Sequence, residues 1–152
     1  MGMTNYDIAE CAENLNLRNF RGVFCRDTLP KKPRTLECGI FNLNLSTQGG
    51  SHWVAWFKNN DERCYFDSFG IITPIELQKY LKTPLEFENN TKVIFRNTDR
   101  VQEFGTTICG ELCLYVLSFL SSSPKFSFES ALKAIKNGNF AQFCTKIREY
   151  EK

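Results

Sequence analysis

The stretch Cys109–Leu120, CGELCLYVLSFL, is apolar on nearly every side of any helix it could form. Such a helix has no polar face to turn to water, so it belongs in the middle of the molecule with the rest of the chain around it. Two shorter segments are also almost continuously apolar, HWVAWFK (52–58) and the CYF within RCYFD (63–67). They read as central strands covered on both faces, paired antiparallel across Asn59-Asn60-Asp61. ECGIFNLNL (37–45) and KVIFR (92–96) add two further strands, the first joined to HWVAWFK by a polar Ser-Thr-Gln-Gly-Gly loop.

Helical periodicity appears over 4–16, where Ile8, Cys11, Ala12 and Leu15 share a face. Thr73-Pro74-Ile75-Glu76 has a capping threonine, a first-turn proline and a glutamate three residues on, so a helix is expected from there to Leu81. Two more are expected over 128–137 after Ser127 and over 140–150 after Asn139, with Gln142 completing a capping pair. FRGVFCRDTLPKKPR (20–34) reads as turn-rich because Gly22, Pro30 and Pro33 punctuate it. No repeat or linker interrupts the order, so residues 1–152 are expected to form a single α+β domain, a mixed sheet flanked by helices.

Charge and cysteine usage exclude several classes. The net charge is +2, which gives no general electrostatic case for nucleic acid or membrane. Lys31, Lys32 and Arg34 form the one local basic cluster, either a solvated loop or a contact for an anionic polymer such as DNA. Seven cysteines lie scattered without paired CxxC spacing, unlike a disulfide framework or a structural zinc site. His52, Cys64, Cys109 and Cys113 supply zinc-donor types, but no pair has the short loop spacing of a structural site. No apolar run reaches the ~20 residues of a membrane helix, and no signal segment opens the chain. Tyr6 stands where a myristoylation motif needs Ser or Thr, and Met1-Gly2 ahead of Met3 fits a cloning remnant. An intracellular, reducing location is the expectation.

Four residues could meet around one chemistry. His52, the single histidine, begins a strand, and Asp67 ends the next. Antiparallel pairing puts the two side by side, where a carboxylate can orient an imidazole and stabilise its charged form. Read alone, Asp67 serves equally well as a turn residue bonding its own backbone. Cys109 stands before Gly110 at the start of the buried helix, where a helix N-terminus favours a thiolate; inert packing is the alternative, and is the reading given to Cys113. Gln102, seven residues before Cys109, could loop back to share oxyanion binding with the Cys109 amide. Trp53 is either a wall of a substrate channel or a core strand aromatic, and Gly110 leaves room for a carbonyl to approach.

The order His52, Asp67, Gln102, Cys109 resembles the adenovirus protease (adenain) family, which shares a papain-like fold with proteases that remove SUMO and related modifiers. The resemblance rests on Gly49-Gly50-Ser51-His52-Trp53, Cys64-Tyr65-Phe66-Asp67-Ser68-Phe69-Gly70 and Val101-Gln102 followed by Cys109-Gly110. Phe20-Arg21-Gly22-Val23-Phe24 and Leu29-Pro30 add weaker matches, so that the similarity covers residues 20–120. The seven-residue step from Gln102 to Cys109 is of the adenoviral type.

The resemblance implies a cysteine endopeptidase that cleaves viral structural precursors near glycine, with Cys109 as nucleophile, His52 and Asp67 as its partners, and Gln102 in the oxyanion hole. It requires no cofactor, though DNA or a peptide can activate. Two positions depart from the adenoviral pattern. Asp67 replaces a glutamate, as in the SUMO-directed relatives. Asn90-Thr91-Lys92-Val93 lacks the cysteine through which an activating peptide is tethered, so any peptide would act non-covalently. The chain's length matches compact relatives encoded by virophages and Polinton/Maverick-type elements, with action in host cytoplasm or nucleus or packaging in the virion. Two other functions stay open: a deconjugating protease for a ubiquitin-like modifier, and a catalytically silent domain that binds capsid or DNA.

Overall fold

The computed structural model describes residues 2–48, 52–60, 62–103, 105–122 and 127–150. Gly49-Gly50-Ser51 ahead of His52, and Asp61 of the expected turn, lie outside these.

The elements run α1 (Asn5–Asn14), β1 (Phe20–Cys25), β2 (Leu36–Asn42), β3 (Trp53–Asn59), β4 (Glu62–Phe66), α2 (Ile75–Leu81), α3 (Pro84–Glu88), β5 (Ile94–Arg96), α4 (Cys109–Ser122), α5 (Phe128–Asn137) and α6 (Phe140–Tyr150). The sheet has the order β1-β2-β3-β4-β5. It is mixed: β1 is parallel to β2, β2–β3–β4 are antiparallel, and β5 is parallel to β4. The apolar strand β3 therefore lies at its centre, as its composition requires.

Alternation along β3 divides the interior. Trp53 and Ala55 face a core completed by α4, α1, α5 and α6, with Leu112, Leu114 and Leu117 among its fully buried side chains. Val54 and Trp56 face the other way, onto Leu77, Tyr80 and Leu81 of α2. No residue of α4 from Cys109 to Leu120 is fully exposed. The helix without a polar face lies where its sequence demands.

The second core is built around a buried charge. Glu37 is 0% exposed, and its carboxylate accepts from Arg21 at 2.9 Å, the Arg34 amide at 2.7 Å, Trp56 Nε1 at 2.8 Å and the Tyr80 hydroxyl at 2.6 Å. A fully paired carboxylate of this kind is tolerated where an unpaired one would not be. Gly39 makes the Trp56 bond possible. A Cβ there would stand 2.4 Å from the Trp56 ring, and the indole cannot retreat without abandoning Glu37. Gly39→Ala should therefore destabilise the protein by about 1–3 kcal/mol, toward the upper end of that range. Urea unfolding checks this; a change within ~0.5 kcal/mol would contradict it.

Four expectations need correction. Phe20–Cys25, read as turn-rich, is strand β1. All six of its residues are only half buried, and the register slips between Phe20 and Val23 beside Gly22 at φ +142°, so no clean alternation marks it. Helix α3, which the sequence reading did not anticipate, has no buried residue and hence no apolar periodicity. Thr73 does not cap α2. The helix starts one residue later, with Leu77 N and Gln78 N both donating to the Pro74 carbonyl and no side-chain cap. The same Thr-Pro-x-Glu pattern is used at Thr83-Pro84-Leu85-Glu86, where Thr83 and Glu86 form a reciprocal capping box. Finally, β2 stops at Asn42 rather than 45, because the Asn42 side chain accepts from the Asn44 amide at 2.9 Å and turns the chain away. The Ser127 cap of α5 and the span of α6 are as expected.

Candidate active site

His52, Asp67, Gln102 and Cys109 come from four separate segments and gather at one end of β3 and β4. The β3–β4 register ends at Ala55↔Phe66, leaving His52 and Asp67 just past the same end. Their side chains meet at 2.7 Å, His52 Nε2 to Asp67 Oδ1, with 8% and 1% of the two residues exposed. Cys109 lines the same cleft, and it joins Asp67 in favouring the protonated form of this imidazole. Phe69 stacks on the ring at 4.6 Å and shields one face from water.

Burial of His52 disfavours the charged form, but hydrogen bonds and charge from Asp67 and Cys109 outweigh it, and the imidazole is pushed up to about 9. It is therefore an imidazolium at neutral pH. Asp67 proves to be both things the sequence allowed. Its Oδ1 accepts from the Phe69 amide at 2.9 Å, the turn interaction, as well as from His52. Its buried Oδ2 has no hydrogen-bond partner among the described residues, so the imidazolium is its main charge compensation.

Cys109 opens α4. The first helical bond runs from Leu112 N to the Ile108 carbonyl, so the Cys109 amide precedes the ladder and is available at the helix's positive end. Cys113, one turn on, is 0% exposed and donates from Sγ to the Trp53 carbonyl at 3.4 Å; burial pushes its thiol far up. It is packing, as expected. All seven cysteines are free.

Gln102 is 3% exposed. Its Nε2 donates to the Thr106 carbonyl at 2.9 Å, and its Oε1 accepts from the Ser68 hydroxyl. Trp53 is 8% exposed and donates from Nε1 to the Met3 carbonyl at 3.0 Å. It is thus both core aromatic and cleft wall. Gly110 lies under Met3, whose sulfur would be 3.2 Å from a Cβ there; the room it leaves is taken by this chain's own Met3. An open cleft of about 760 Å³ runs past His52, Trp53, Phe69, Gln102 and Cys109. Lys31, Lys32 and Arg34 are exposed and do not line it.

Sequence reasoning passed over two residues here. Asn97 is 5% exposed; its side chain accepts from the Asp67 amide at 3.1 Å and donates to the Asp67 carbonyl at 2.6 Å. It thus extends the β4–β5 ladder by one side-chain rung. Ser68 is 0% exposed and ties the turn after β4 to Gln102. Neither carries a local signal, since a polar residue after a strand looks like any loop residue.

No protein-family model matches this sequence, and no curated protein is detectably similar to it. Solved structures do match. The crystal structure of the Se-Met ASFV pS273R protease aligns with a TM-score of 0.59 at 16% identity, over 98% of this chain and 67% of that one. A second crystal structure of ASFV pS273R protease aligns with a TM-score of 0.55 at 18% identity, over 88% and 66%. A structure of the SUMO protease Ulp1 gives a weaker likeness, TM-score 0.48 at 16% identity over 90% and 74%. The fold, a mixed five-stranded sheet with flanking helices, is the one seen in the ASFV pS273R protease. This chain spans about two thirds of the length of the pS273R proteases it matches.

Proposed function

We propose that the chain is a cysteine endopeptidase with Cys109 as nucleophile. The observation that carries this reading is the imidazole of His52, bonded to Asp67 at 2.7 Å and lining, together with Cys109, one open cleft. The thiolate attacks a peptide carbonyl, and the His52 imidazolium protonates the departing amine. The now neutral imidazole then takes a proton from water, which hydrolyses the acyl-enzyme and restores the pair. Asp67 holds the ring and its charge. The Cys109 amide and Gln102 Nε2 stabilise the oxyanion, and Trp53 walls the channel beside it, with Met3 over Gly110 in place of the open approach expected there.

Viral structural precursors cut beside glycine are the proposed substrates, through the adenain resemblance. Action within a reducing host compartment or a virion belongs to the same proposal, and so does stimulation by a non-covalent peptide or by DNA at Lys31, Lys32 and Arg34. A second reading, removal of a ubiquitin-like modifier, draws on Asp67 in place of the adenoviral glutamate. The deciding experiment incubates the protein with capsid precursors, with and without DNA, and maps new termini by mass spectrometry. A parallel sample receives a ubiquitin-like protein ending in an electrophile. Cuts beside glycine support the endopeptidase; capture of the electrophile with no precursor cut supports deconjugation. Neither outcome, with Cys109 no more reactive to iodoacetamide than the other thiols, would reject both.

A further inference from the structure

Gln102 is useful as an oxyanion donor only if its amide points the right way. A carboxamide turned end over end has nearly the same shape but presents an acceptor where a donor is needed. Two contacts hold this one. The Thr106 carbonyl, which only accepts, bonds Nε2 at 2.9 Å and so determines which end carries nitrogen. The Ser68 hydroxyl bonds Oε1 and determines where the other end lies. Anchored at both ends, the planar group has one N–H left, and Gln102 borders the cleft with Cys109.

We propose that Ser68 is the positioning residue of this oxyanion amide, holding Gln102 so that its remaining N–H faces the reacting carbonyl. The inference rests on the protease reading above. Ser68 itself is 0% exposed and touches no substrate. Its hydroxyl reaches Gln102 itself, and its carbonyl holds the residue before it, accepting from Val101 N at 2.8 Å. It also follows Asp67 directly, in the turn closed by Gly70 N donating to the Asp67 carbonyl at 2.8 Å. That turn is rigid: Gly70 sits at φ +73° with a Cβ position only 2.6 Å from the Thr98 carbonyl, and Asn97 clamps its start. One turn thus sets both the carboxylate bonded to His52 and the Gln102 amide that lines the cleft with Cys109. Without the hydroxyl, Oε1 would be buried with no donor, a costly state that rotation toward the cleft relieves. The rotation puts an acceptor where negative charge develops, so the loss falls on the transition state rather than on substrate binding.

The test is a cycle of Ser68→Ala, Gln102→Ala and the double variant, assayed on a cleaved precursor peptide. Loss of an oxyanion donor elsewhere costs about 10²–10³-fold in kcat. Ser68→Ala should lower kcat about 10–100-fold with KM within twofold, and should cost nothing further in the Gln102→Ala background. Alkylation of Cys109 by iodoacetamide, which builds no oxyanion, should keep its parental rate. An undiminished kcat, a full Ser68→Ala effect without Gln102, or a parallel fall in alkylation would overturn the assignment. The ¹⁵N side-chain amide resonance of Gln102 reports the same geometry without turnover. It should be protected from exchange in the parent and lose that protection in Ser68→Ala; unchanged protection would also overturn it. If the parent cleaves nothing, the protease reading fails, and the resonance still decides the role of Ser68.

Discussion

Cys109→Ala should abolish peptide cleavage, lowering kcat by at least about 10⁴-fold while the protein still folds. The Cys109 sulfur is the nucleophile that lines the cleft at the start of α4; Cys25 also lines the cleft, but burial and Asp27 raise its thiol, and Cys11 is fully buried. Cys113 lies on the same helix, but it is fully buried and held as a neutral donor to the Trp53 carbonyl. Burial pushes Cys38 and Cys64 up to about 12, and Cys25 and Cys144 are also raised. An iodoacetamide pulse near pH 7 should therefore reach Cys109 first. Cys113→Ala is the contrasting control, expected to cost stability and leave turnover in place. Cleavage that survives Cys109→Ala in purified protein, with thermal unfolding unchanged, would end the nucleophile assignment.

Asp67→Asn should cost about 10²–10⁴-fold in kcat near neutral pH, by analogy with loss of the acidic member of other triads, and should also move the alkaline limit of activity. The direction follows from the charge. His52 is raised from 6.5 to about 9 by Asp67 and Cys109, against the opposing effect of burial. The imidazolium is thus the form present below about pH 9, and the leaving amine needs its proton. Parental kcat/KM should hold through pH 8 and fall as pH rises through about 9. With asparagine the compensating charge is gone and burial gains ground, so the fall should come at lower pH. The same shift affects folding: the stability contributed by the bound proton is complete below the ordinary histidine range and is lost as pH rises through about 9. A pH–rate series on both proteins decides it. An alkaline limb at the same pH in parent and variant would show that Asp67 does not set the charge of His52.

Much of the site was legible because it rests on local pairing. Two apolar runs separated by a short turn must pair antiparallel, and that places the residue before one beside the residue after the other. His52 and Asp67 meet for this reason, at 2.7 Å. Cys109 was legible from the amphipathicity that its helix lacks. The residues of β3 alone allow Trp53 a place in the core or at a channel; it is packed in the core and also lines the cleft, since the strand end that packs on α4 is the rim of the cleft.

The remainder lay in contacts between distant segments. Glu37 in β2 looks like an ordinary strand-edge charge; that it is buried under Arg21, Trp56 and Tyr80 depends on where β1 and α2 land. Ser68 and Asn97 became site residues because 68 meets 102 and 97 meets 67 across the sheet end. Apolar periodicity is a property of neighbours along the chain, so strand pairing, the buried helix and the thiol at its start could be read directly from the residues. Hydrogen bonds between polar groups some thirty or more residues apart have no such periodicity. They arise when packing brings lone pairs and protons within 3 Å, and that is how the Gln102 amide and the clamps on the Asp67 carboxylate were set.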